Sequence, residues 1–256
     1  MSYIISIVPV TPMRSEPSHR SEQVSQLLFG EVGEVIETST DFSKVKGLYD
    51  AYEGWCQTSQ LAEVSEEQAF TKNSLLVREW TREILINNTP IYIPFGSSLS
   101  LFKHGMFRGK YHEAFYEGEA FDTTESGFNE EIIKPLAYKY LNTSYLWGGK
   151  SVFGVDCSGF CQMVFKFMNI HLHRDAYQQA TQGESIGFLQ ETKCGDLAFF
   201  DNEQGKITHV GILLEPSTII HASGKVRIDS IDNVGIINSE TGLRTHNLRL
   251  IKRINH

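Results

Sequence analysis

Among the side chains able to carry covalent chemistry, Cys157 stands out by position. It lies in Val155-Asp156-Cys157-Ser158-Gly159-Phe160, where the pattern that follows predicts the start of a helix. Unpaired N–H groups and the positive end of a helix dipole stabilise a thiolate there, the setting of a nucleophilic cysteine. The Cys157 backbone N–H is also placed to donate to an oxyanion formed on an attacked carbonyl. His209 opens the run His209-Val210-Gly211-Ile212-Leu213-Leu214, and His221 lies in Thr218-Ile219-Ile220-His221-Ala222, with Glu215-Pro216-Ser217 between them. These are hairpin signals, and the residue midway between the histidines, Glu215, falls in the turn. The two imidazoles are therefore expected roughly opposite each other, within a residue or two of register. His209 can then take the thiol proton while His221 holds its far nitrogen and fixes its tautomer.

The elements that must position these groups follow from periodicity. Residues Glu130 to Leu141 predict one helix and Ser158 to Met168 another, the second with Phe160, Cys161, Val164, Phe165 and Met168 at the three- and four-residue spacing of a buried face. Strands are predicted at Asp196 to Asp201, His209 to Leu214 and Thr218 to Ala222. Helix, helix, then antiparallel sheet points to an α+β domain over residues 125–256. Ahead of it, residues 1–65 alternate short apolar runs with turns, as in Glu31-Val32-Gly33-Glu34-Val35-Ile36-Glu37, a small all-β pattern. A second β-rich segment occupies residues 66–124, with its strands from about Asn73 to Asp122 and the polar stretch 123–127 as its boundary. Units this small are marginal alone and are expected to pack rather than swing free.

The chain of 256 residues carries a net charge of −8, which argues against an electrostatic grip on nucleic acid. The N-terminus lacks a basic start and meets Pro9 and Pro12 early, so it does not read as a signal peptide. With no apolar stretch of the roughly 20 residues a bilayer requires, the expectation is a cytoplasmic protein without a membrane partner. The four cysteines are too irregularly spaced for a disulfide framework, and Cys56, Cys161 and Cys194 are expected as core residues. No cofactor is expected, because Gly148-Gly149 sits in no phosphate-cradling pattern. A zinc site of Cys157, Cys161, His209 and His221 is disfavoured, since Cys161 falls one turn inside the helix on its apolar face.

The quoted residues carry a family resemblance. Tyr145-Leu146-Trp147-Gly148-Gly149, Asp156-Cys157-Ser158-Gly159-Phe160, Gly195-Asp196-Leu197-Ala198-Phe199-Phe200, Thr208-His209-Val210-Gly211-Ile212 and Ile220-His221-Ala222 resemble the successive motifs of NlpC-type cysteine peptidases. Residues 1–65 resemble a bacterial SH3-like domain and residues 66–124 a diverged one. The resemblance implies a papain-like α+β peptidase domain, helices packed on an antiparallel sheet, preceded by two small SH3-like barrels. It implies a Cys157, His209, His221 site with Tyr145 lining the pocket. Together with Arg174-Asp175-Ala176, the chain resembles the γ-D-glutamyl-L-diamino acid endopeptidases of the dipeptidyl-peptidase VI type. These act on murein peptides with a free N-terminal L-alanine. In that reading Asp156 pairs with the substrate ammonium, helped by Tyr52 and an acid of the first SH3-like domain, Glu22 with Glu16 and Glu31 as competitors, while Ser158, Trp147, Arg174 and Asp175 also contact substrate. The alternatives are a non-catalytic cell-wall peptide binding module, or an amidase or acyltransferase on the same fold.

Overall fold

The computed structural model describes residues 2–71, 74–124 and 126–254; Asn73 and Glu125, at the edges of expected segments, lie outside the described residues. The chain forms two compact units. One comprises Met1–Ser126 together with Trp147–Phe153, and the other Gly127–Leu146 with Gly154–His256.

The first unit is all sheet apart from one helical turn and a short 3-10 segment among the described residues. Seven antiparallel strands from Ser2–Ser6 to Leu61–Val64 form one sheet. The expected strand at 31–37 is found as Val32–Thr38, between Ser2–Ser6 and Phe42–Gly47. Ile4, Met13, Leu27, Val45 and Cys56 fill the space it encloses. A second, four-stranded sheet spans Thr81–Ile86, Thr89–Pro94, Met106–Arg108 and Glu113–Phe115. One apolar cluster joins the two: Ile5, Phe29 and Ala62 pack with Val77, Ile84, Ile93, Phe102 and Phe107. The two β-rich segments thus share a core, which removes apolar area that neither could bury alone.

Trp147–Phe153 enters this unit as an excursion from the other. Its anchor is Lys150, 1% exposed, whose N–H donates to Gln26 Oε1 at 2.8 Å and whose ammonium lies 3.3 Å from Glu31 Oε2 and 3.9 Å from Asp50 Oδ2. A buried ammonium is tolerated only with such partners. Gly148 explains the approach: at φ +72° an added Cβ would fall 2.5 Å from the Gln23 carbonyl oxygen.

The second unit is more sheet-rich than an even α+β balance. Leu197–Asp201, Ile207–Glu215 and Thr218–Ser223 match the three expected strands, and Lys225–Ile231, Gly235–Ile237 and Arg244–Arg253 extend them. Arg244–Arg253 pairs with both Leu197–Asp201 and Gly235–Ile237, closing a six-stranded barrel, with Glu184–Ile186 on its outside. The helices are few and short. Glu130–Tyr138 begins at the Asn129 cap, and past Tyr138 the chain tightens into three-residue hydrogen bonds rather than continuing to Leu141. Cys157–Lys166 is buried at all ten positions, not along one stripe, and packs on Ile207–Glu215 and Thr218–Ser223. It starts one residue before the expected Ser158 because Asp156 supplies the cap.

Candidate active site

The place of Cys157 is fixed by Asp156. Its extended backbone (φ −93°, ψ 176°) lets the side chain accept from the Gly159 N–H at 2.7 Å, satisfying one orphan donor of the helix that begins at Cys157. The same carboxylate is gripped at both oxygens by Arg174, whose Nη1 and Nη2 donate at 2.9 and 2.6 Å. Ser158 joins the cluster, accepting from Arg174 Nη1 at 3.1 Å and donating to Asp156 Oδ1 at 3.2 Å. Arg174 is 1% exposed.

Cys157 is itself buried, and its thiol pKa is pushed up to about 12, first by burial and then by the neighbouring Asp156 charge. The N–H groups of Val210 and Ser158 and the Arg174 guanidinium pull the other way and lose. The expected helix-start effect is therefore present through the Ser158 N–H but outweighed, and the resting group is the thiol. Val210 follows His209 directly, so its hydrogen bond sets the sulfur beside the strand that carries His209. Tyr145 stands close by: burial, then the Cys157 and Asp156 charges, push its phenol above the usual tyrosine range.

His209 and His221 meet at 2.8 Å, Nε2 of the first to Nδ1 of the second, with rings at 84°. They are diagonal neighbours rather than directly opposed, because His221 pairs with Gly211. Gly211 makes the diagonal possible: a Cβ there would lie 2.8 Å from the His221 Cβ. The expected hairpin thus delivers its two histidines through a two-residue offset and a glycine. Burial, His221 and His246 together hold the His209 pKa well below the usual histidine value. The raised Cys157 pKa and the lowered His209 pKa both favour the neutral form of each group at rest.

Two further groups adjoin the histidine pair. His221 Nε2 lies 3.0 Å from Asp229 Oδ2, and both residues are 2% exposed or less. Asp229 in turn accepts from Arg227 Nε at 2.8 Å, Arg227 Nη2 at 3.1 Å and the Ser239 N–H at 2.8 Å. His246, half-buried on Arg244–Arg253, stacks on the His209 ring at 4.2 Å and 25°.

Comparison with known proteins places this geometry. The NlpC/P60 family profile matches residues 142–245, and that of the bacterial dipeptidyl-peptidase SH3 domain matches residues 13–61. A probable endopeptidase of Haemophilus influenzae is 32% identical over 141 residues, covering 54% of this chain and 85% of that one. The chain belongs to the NlpC/P60 family of cysteine peptidases. A γ-D-glutamyl-L-lysine dipeptidyl-peptidase of Bacillus subtilis is 42% identical over 100 residues, which is 38% of this chain and only 33% of that protein's length. Dipeptidyl-peptidase 6 of Lysinibacillus sphaericus is 27% identical over 259 residues, covering 89% of this chain and 91% of its own. Among solved structures, an NlpC/P60 family protein of Bacillus cereus superposes with a TM-score of 0.81 at 19% identity over 100% of both chains. The fold is therefore papain-like NlpC/P60 with an SH3 domain at the N-terminus.

Within this NlpC/P60 chain the second unit brings together Cys157, His209, His221, Tyr145, Asp156, Ser158 and Arg174. Asp175 caps the short helix Ala176–Gln179, its N–H reached by Gln178 Oε1 at 3.4 Å. The remaining expected contributors belong to the first unit. There the Trp147 indole donates to Glu22 Oε1 at 2.6 Å, and the Tyr52 N–H donates to Asp50 Oδ1 at 3.0 Å. Cys56 and Cys161 are buried as expected, whereas Cys194 is half-buried near Lys134. Asp229, Arg227 and His246 are absent from the sequence reading. For the first two a signal existed: Gly224 lies midway between His221 and Arg227, which pair, so the midpoint argument extends one strand further.

Proposed function

We propose that this peptidase hydrolyses the bond between γ-D-glutamate and a diamino acid in small murein peptides bearing a free N-terminal L-alanine. The observation that carries the reading is the buried chain from Cys157 beside Val210 through His209 to His221, which equips a thiol to attack a carbonyl. The names of the Bacillus subtilis and Lysinibacillus sphaericus relatives support the substrate class. Attack by the Cys157 sulfur gives a tetrahedral oxyanion, and collapse releases the diamino acid amine with a proton from His209. Water then hydrolyses the thioester and frees L-Ala-D-Glu. The Cys157 N–H donates to the oxyanion in this reading.

The proposal includes a cytoplasmic site of action on recycled murein peptides, and a division into SH3-like domains at 1–65 and 66–124 before the peptidase domain at 125–256. It assigns the substrate ammonium to Asp156, which shares its charge with Arg174, and to Glu22 and Tyr52, with Ser158, Trp147, Arg174 and Asp175 shaping the pocket. Reduced protein incubated with L-Ala-γ-D-Glu-meso-diaminopimelate is expected to release L-Ala-D-Glu, read by mass spectrometry. No cleavage overturns the activity, and equal rates on the N-acetylated peptide overturn the ammonium assignment alone.

A further inference from the structure

A carboxylate only accepts hydrogen bonds, and that fact runs outward from Asp229. Burial works against its charge, but hydrogen bonds from His221, the Ser239 N–H and Arg227 outweigh it and hold the carboxyl well below the usual range. Facing an ionised oxygen at 3.0 Å, His221 Nε2 must carry a proton. A neutral His221 then has its lone pair on Nδ1, so the 2.8 Å contact requires His209 Nε2 to be the donor. The lone pair of neutral His209 is left on Nδ1.

We infer that Asp229, held by Arg227 and Ser239, is a positioning residue that sets the tautomers of both histidines and makes Nδ1 of His209 the atom that takes the Cys157 proton. The inference rests on the reading of Cys157 as nucleophile and His209 as its base. In the step it describes, the Sγ–H bond breaks, the proton moves to His209 Nδ1, and the sulfur keeps the electron pair with which it attacks the carbonyl carbon. The imidazolium so formed still donates Nε2–H to His221, whose own Nε2–H points at the negative charge of Asp229. A His-His pair thereby gains the carboxylate that a bare orienting histidine lacks.

Geometry dictates what Asp229→Asn does. The amide oxygen goes where the Ser239 N–H and Arg227 Nη2 converge, the Oδ1 position. Its NH2 then takes the Oδ2 position, where it donates to His221 Nε2 and leaves the Arg227 Nε–H without its acceptor. His221 must accept at Nε2 and donate from Nδ1. His209 must accept at Nε2 and place its proton on Nδ1, the nitrogen the thiol needs. The other ionisable groups facing this network are His246, stacked on His209, and Glu240, 3.3 Å from Arg227 Nη1; Asn leaves both in place.

The test is nitrogen-15 NMR of the histidine rings at neutral pH, with long-range couplings that report which nitrogen is protonated. The wild-type protein is expected to show His209 and His221 both as Nε2–H tautomers, and Asp229→Asn to show both as Nδ1–H. On the L-Ala-γ-D-Glu-diamino acid peptide the variant is expected to lose about a thousandfold in kcat with KM within about twofold, by analogy with wrong-tautomer triads. Iodoacetamide should alkylate its Cys157 more slowly than that of wild type. Wild-type His209 protonated on Nδ1 overturns the inference, as does a folded Asp229→Asn with unchanged tautomers or unchanged kcat. If the variant fails to fold, the wild-type spectrum still decides. If wild type leaves the peptide intact, the proposed substrate falls and the spectrum continues to test the tautomers.

Discussion

The Cys157 side and the His209 side of the second unit are built on the same motif and use it differently. Each holds a buried aspartate in a two-pronged arginine grip, Asp156 with Arg174 and Asp229 with Arg227. Asp156 also accepts from the Gly159 N–H and the Ser158 hydroxyl, at the start of the helix that carries Cys157. Around Asp229 one bond leads outward through His221 to His209. The first pair fixes where the helix starts and so where the sulfur sits. The second fixes which nitrogen is free to receive a proton. Damage to the first should register in stability and, through the ammonium contact proposed for Asp156, in KM; damage to the second should register mainly in kcat.

The largest effect removes the atom both sides serve. Cys157→Ala is expected to lower kcat by at least about 10⁴-fold, since losing a nucleophile leaves only residual binding and oxyanion effects. Product release followed by mass spectrometry checks it. Activity within about tenfold of wild type would mean that neither side of the comparison concerns catalysis.

Next in size is the stability arm. Arg174→Met leaves the Asp156 charge, 9% exposed at its side chain, without its main partner. Stranding one member of such a buried pair costs about 3–5 kcal/mol, measurable as a lower urea midpoint. Arg227→Met should cost less, because the Arg227 side chain is 12% exposed and Asp229 keeps His221 and the Ser239 N–H. Equal losses would erase the distinction drawn between the two pairs.

A gentler perturbation separates geometry from chemistry on the base side. Gly211→Ala sets a Cβ against the His221 Cβ and the Ile219 side chain, both 2.8 Å away, and pushes the second imidazole off its diagonal. A displacement near 1 Å costs about a hundredfold in rate. The expected result is a drop of that order in kcat with unchanged KM, and a wild-type kcat would show that His221 need not reach across that glycine.

What could be read from the residues alone divides along the same line. The clustering of Cys157, His209 and His221 was legible because local patterns mark it: a helix start after Asp156, a hairpin about Glu215. Asp156 was legible as a neighbour but not as the clamp on Arg174, because the two are 18 residues apart and meet only once the fold brings them together. Asp229 needed the midpoint argument carried one strand further, across Gly224. His246 had no local signal. Its strand, Arg244–Arg253, alternates few apolar residues and owes its place to barrel closure, a long-range pairing with Leu197–Asp201 and Gly235–Ile237. For the same reason a three-strand sheet was expected where a closed barrel formed.

His246 supplies the smallest effect, and it again belongs to the base side alone. Burial, then His221, lower its pKa from 6.5 to about 4, with Asp229 opposing. As the pH falls below about 6.5 the unfolded chain therefore binds this proton first, while the folded chain resists until about 4. The stability that this neutral ring contributes is whole above the upper value and is lost progressively across that window. His209, also lowered, adds in the same direction, and Asp229, held below the usual carboxylate range, adds its own loss only at lower pH. His246→Phe keeps an aromatic ring against His209 and removes one titrating site. Melting temperature followed against pH should accordingly fall less steeply for the variant than for wild type between about pH 6.5 and 4. Identical slopes would mean that the stacked ring is already protonated in the folded protein, and that the neutral stack at 4.2 Å is not its resting state.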